Sequence, residues 1–125
     1  MSGRRAARRA ALFALYQRDV TGRPLVSLYE GEPDPYTQEL AGGVESAADD
    51  LDETIGAASP DWRPDRLGAL ERNILRIAVY ELDRGEVPLE VAIDEAVRLA
   101  RRYASDDAAK LVNGILGKVA REARR

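Results

Sequence analysis

Residues 67–84 read LGALERNILRIAVYELDR. Leu70, Ile74, Ile77 and Ala78 recur three and four positions apart, which is the spacing of one face of an α-helix. The stretch predicts the most apolar helix of the chain, from about Leu67 to Arg84. Two carboxylates interrupt its apolar side. Glu81 falls on the centre line of the inward stripe, four residues after Ile77, and Glu71 falls at its edge beside Leu75 and Leu82. A carboxylate on an apolar stripe needs a partner or a wet site. For Glu81 this predicts an internal bond to an arginine, a tyrosine or a helix N-terminus. Glu71, nearer the rim, is a candidate for a partner surface.

The flanking segments follow the same helical period, and none alternates like a strand. A first helix is predicted from about Arg4 to Val20. The connection TGRPLVSLYEGEPDP has room for one short helical turn. A second helix is predicted from about Tyr36 to Ala58, with Leu40, Val44, Ala47, Ala48, Leu51 and Ile55 on one side. ASPDWRPDR breaks the pattern, and Pro64 suits the first position of a short helix because its missing N–H costs nothing there. After Arg-Gly-Glu-Val, Pro88 opens a helix to about Tyr103, with Ile93, Ala96, Val97 and Ala100 on one stripe. Ser105 before Asp106 and Asp107 is a capping signal for a last helix ending near Ala123. Asn113-Gly114 would ordinarily mark a hairpin. Helical spacing resumes at once with Ile115, Leu116 and Val119, so Gly114 reads as a mid-helix glycine where another helix or backbone comes close. The fold class expected is all-α, a compact bundle of about six to seven helices in a single domain spanning residues 1–125.

Absences narrow the chemistry. The chain has no Cys and no His. That removes thiolate nucleophiles, Ser-His relays, imidazole bases and Cys/His zinc sites. No catalytic residue, metal site or cofactor is expected. The lack of Cys fits a reducing, cytoplasmic setting. No apolar run approaches a membrane span, and no signal core precedes the first helix, so neither membrane insertion nor secretion is expected.

The charge distribution points further. Net charge is −3, yet the first 18 residues hold five arginines and no acid, and residues 19–58 hold ten acids and one arginine. On a helical wheel Arg5, Arg8 and Arg9 continue the stripe of Leu12, Leu15 and Tyr16, with Arg4 at its edge. Burying unpaired guanidiniums costs several kcal/mol per ion. The first two turns are therefore expected either to overhang the bundle or to face an anion. Arginine forks suit phosphate, and Tyr16 offers a face on which an unpaired base can stack.

Four pieces in order carry a resemblance: RRAARRAALFALYQRD, RLGALERNILRIAVYEL, VPLEVAIDEAVRLARRY and DDAAKLVNGILGKV. Together they cover nearly the whole chain and resemble the NusB family of bacterial transcription antitermination factors. The resemblance implies two small helical sub-bundles and a role without catalysis. It implies binding of single-stranded boxA RNA in nascent ribosomal RNA leaders, jointly with the ribosomal protein NusE, within the RNA polymerase antitermination complex. It leaves a homodimer open. It places the family's arginine-rich RNA-binding motif on Arg4, Arg5 and Arg8, with Arg9 an additional arginine, and it adds Tyr16 and Asp107 to the RNA residues. It places Glu71 on the partner surface. The sequence departs from the family at Leu111, where Phe is usual, and at Gly117, where an acid is common. Two other readings compete: the RNA-binding accessory domain of a ribosomal RNA cytosine methyltransferase, and a helical oligomerisation module.

Overall fold

The structure, a computed structural model, describes residues 3–59 and 67–123. Pro64 and the short helix expected to begin there lie outside the described residues. Six α-helices and one short 3₁₀ turn make up the described fold, and no strand occurs among the described residues.

The first helix, α1, runs Arg4–Thr21 and ends where Gly22 takes the left-handed conformation (φ 74°) and returns its N–H to the Arg18 carbonyl. Only glycine adopts that backbone without strain. The connection makes one helical turn at Leu25–Ser27, as its length suggested. Asp34 then caps α2 (Pro35–Ser46): its side chain accepts from the Tyr36 N–H at 2.8 Å, with proline in the first turn.

The predicted helix from Tyr36 to Ala58 is two helices. At Ala47 the backbone leaves helical geometry (φ −105°, ψ 14°), and α3 runs Ala48–Ala58. The reason lies in packing. Leu40, Ala41 and Val44 of α2 sit in the core where α1 and α4 meet it, whereas Leu51, Ile55 and Ala58 of α3 serve α4 and α6. One straight helix cannot reach both sets of neighbours. Apolar spacing alone runs smoothly through the break and does not reveal it.

The apolar stretch forms α4 (Ala69–Arg84), and α4 packs against every other helix. Ile74, Leu75, Ile77, Ala78 and Val79 are all buried on it. Removing each of the Ile, Leu and Val side chains among them from water contributes about 1.5–3 kcal/mol. Helix α5 runs Leu89–Tyr103 from an N-cap at Pro88, and α6 runs Asp106–Ala123. The capping signal is real: Ser105 Oγ accepts the Ala108 N–H at 3.0 Å. The close approach expected at Gly114 is absent, because a Cβ there would meet nothing within 4 Å. Gly43 is the glycine that admits a neighbour, and the Tyr80 ring lies against it where a Cβ would stand.

Candidate nucleic-acid interface

Helix α1 is fastened to α4 at both ends. Near its start, Arg8 is buried at 4% exposure, and its Nε lies 3.0 Å from both carboxylate oxygens of Glu81, itself 2% exposed. Tyr36 of α2 donates its hydroxyl to the same carboxylate. The internal partner expected for Glu81 is thus an arginine and a tyrosine together. Burial works against the Arg8 charge, but the hydrogen bond and the charge of Glu81 outweigh it and hold Arg8 more firmly protonated than usual. Burial, then the bond to Glu81, pushes the Tyr36 hydroxyl well above its ordinary range.

Near the other end, Asp19 accepts from Arg72 at 3.1 Å and from the buried Asn73 at 2.9 Å. Arg76 sits beside them and grips Asp52 of α3 with two bonds, at 2.7 and 2.6 Å. Thr37 adds a tie between α2 and α1 by donating to the Ala7 carbonyl at 3.1 Å. These contacts were not legible beforehand, since each joins helices remote in sequence.

Two expectations about the arginines need correction. The first two turns of α1 do not overhang, because Ala7 and Arg8 are both buried. Arg8 is therefore not a surface cation open to phosphate: its charge is taken up by Glu81. Arg4, Arg5 and Arg9 are exposed. The Arg4 guanidinium lies 4.5 Å from the centre of the Tyr36 ring, a cation–π contact. Arg5 reaches across to α5, where its Nε donates to Glu95 at 2.9 Å.

Tyr16 is 39% exposed, not part of the core stripe. It lines a groove of about 550 Å³ with Phe13, Leu70, Glu71 and Tyr103. The structure thus brings together Tyr16 and Glu71, which the sequence had put on separate helices. Glu71 is half-buried at the start of α4, folded back so that a side chain on Gly68 would collide with its carboxylate. An acid there is favoured by the positive end of the helix. Asp107 is exposed in the first turn of α6 and lines neither this groove nor the arginine cleft beside it.

That cleft, about 230 Å³ between α1 and α5, is lined by Arg5, Arg8, Arg9, Arg98 and Arg102 with Glu95 and Tyr103. Arg98 and Arg102 were not singled out in the sequence. Their only signal was a four-residue spacing on the polar side of α5. A larger groove of about 610 Å³ lies on the alanine side of α1, with Glu30, Glu32 and Asp34 among its lining residues, so its charge opposes a phosphate backbone. Among the described residues no group of three His, Cys, Asp or Glu side chains is placed to hold a metal ion.

The sequence profile described as the NusB family matches residues 5–121. The chain belongs to the NusB family. It is 42% identical to the transcription antitermination protein NusB of Rubrobacter xylanophilus, over 90% of this chain and 86% of the relative. It is 40% identical to that of Salinispora tropica, over 100% of both chains. The fold matches T. maritima NusB with a TM-score of 0.85 at 32% identity, covering 97% of this chain and 92% of the other. It also matches a chain in the crystal structure of antitermination factors NusB and NusE in complex with dsRNA, with a TM-score of 0.84 at 28% identity, covering 95% and 96%. The NusB family is named for transcription antitermination, a role without catalysis, and the all-helical fold expected from the sequence is the NusB fold.

Proposed function

We propose that this protein binds single-stranded boxA RNA in nascent ribosomal RNA leaders together with NusE, and so promotes antitermination by RNA polymerase in the cytoplasm. The observation that carries the reading is that Arg5 and Arg9, exposed on α1, line a cleft that shares Tyr103 with the aromatic groove holding Tyr16 and Glu71, with Arg4 exposed in the same first turns of the helix. Cations that position a phosphate backbone beside rings that stack bases are the two components of single-strand binding. The net charge of −3 opposes tight binding by this chain alone. A partner that supplies further basic surface resolves that conflict, and Glu71 on the groove rim is the residue assigned to meet it. Asp107, carrying a negative charge, is assigned to base donors and not to phosphate.

The relatives at about 40% identity are named transcription antitermination proteins, which supports this reading over a methyltransferase accessory domain. Size-exclusion chromatography of the chain with NusE and boxA RNA tests it. A ternary species that elutes ahead of either pair is expected. Elution of the RNA at its free position, with NusE present, would defeat the proposal.

A further inference from the structure

Arg98 and Arg102 lie one helical turn apart on α5 and face Arg5 and Arg9, which lie one turn apart on α1. Like charges at that spacing destabilise a helix, and here two such pairs confront one another. Glu95 is the one carboxylate lining the cleft, 12% exposed and engaged by Arg5 at 2.9 Å. Among the described residues no carboxylate pairs with Arg9, Arg98 or Arg102. The cleft therefore concentrates positive charge that its own walls leave unbalanced. Its volume of about 230 Å³ is below the roughly 300 Å³ at which small-molecule pockets begin. That suits a phosphodiester passing through.

Tyr103 lines this cleft and also the aromatic groove. The Arg102 guanidinium lies 5.5 Å from the centre of its ring, and Arg102 Nε donates to its hydroxyl at 3.1 Å. On the groove side Phe13 meets the same ring edge-on, centres 5.1 Å apart. The cationic cleft and the stacking groove are thus adjoining parts of one path with Tyr103 at the junction.

We propose that the cleft between α1 and α5 is a phosphate track for single-stranded RNA, with Arg98 and Arg102 as its second wall, and that Tyr103 hands the strand to the groove beside Tyr16. The inference rests on the RNA-binding reading and adds α5 to a site otherwise assigned to α1. Glu95 acts as an internal competitor: it occupies Arg5 until phosphate displaces it.

The test is a titration of the full chain, with and without NusE, against single-stranded boxA RNA at several salt concentrations. Each phosphate contact on a single strand adds about 0.7 to the salt slope. Arg98→Ala/Arg102→Ala should flatten the slope by about 1.4, so its deficit against wild type shrinks roughly sevenfold between about 50 and 200 mM salt. Both side chains are exposed, so the melting temperature should stay near wild type. Glu95→Gln should bind more tightly than wild type. If the double variant keeps wild-type affinity and slope, or if Glu95→Gln binds no better, the cleft is not a phosphate track. If wild type binds no RNA in either setting, the RNA reading itself falls.

Discussion

Arg8 and Glu81 stand 73 positions apart and share one buried ion pair, with the Tyr36 hydroxyl on the same carboxylate. Three helices meet at that point. The exposed Arg4 rests on the ring of the same Tyr36, so the geometry that presents this surface arginine depends on a charge that never reaches the surface.

Arg8→Ala should therefore be a stability variant first. It leaves Glu81 buried without its cation, which costs about 3–5 kcal/mol. Replacing both partners with apolar residues of similar volume, Arg8→Met with Glu81→Leu, should recover most of the loss, since a buried pair is often worth little against good packing. Urea denaturation of the two single variants and the double variant measures the coupling. Additive losses would show that the two side chains do not act as a pair.

Tyr36→Phe should cost roughly 1–3 kcal/mol at neutral pH by removing a hydrogen bond to a buried charge. It should also change the alkaline limb. The folded chain holds the Tyr36 hydroxyl protonated above its ordinary value of 10.0, where the unfolded chain releases the proton. Stability from this group is complete below pH 10 and declines as the pH rises beyond it. Thermal melts from neutral pH upward should show a shallower alkaline decline for Tyr36→Phe than for wild type.

Glu71→Lys should weaken RNA or NusE binding more than it weakens the fold. A lysine at the first turn of α4 meets the positive end of the helix, a penalty of about 0.3–1 kcal/mol and a melting shift of only a few degrees. A large melting drop with unchanged binding would make Glu71 a structural residue.

How much of this was legible in the sequence differs from residue to residue. Apolar spacing located α1, α4, α5 and α6 because each buries one continuous stripe. It missed the break at Ala47 because α2 and α3 turn the same period toward different neighbours. Glu81 announced a partner by its position, yet nothing local could say that the partner was Arg8, so Arg8 was counted with the surface arginines. The same limit hid Arg98 and Arg102. On α5 alone they read as a solvated face, and only the docking of α1 alongside turns them into a cleft wall.

RNA binding as proposed requires the exposed arginines of α1 to neutralise phosphates. The most direct measurement is the salt dependence of boxA binding for wild type and for Arg5→Ala/Arg9→Ala, a pair that leaves the Arg8–Glu81 contact intact. The double variant should bind more weakly, with a slope flattened by about 1.4 and an unchanged affinity for NusE alone. Wild-type affinity and slope in the double variant would contradict it.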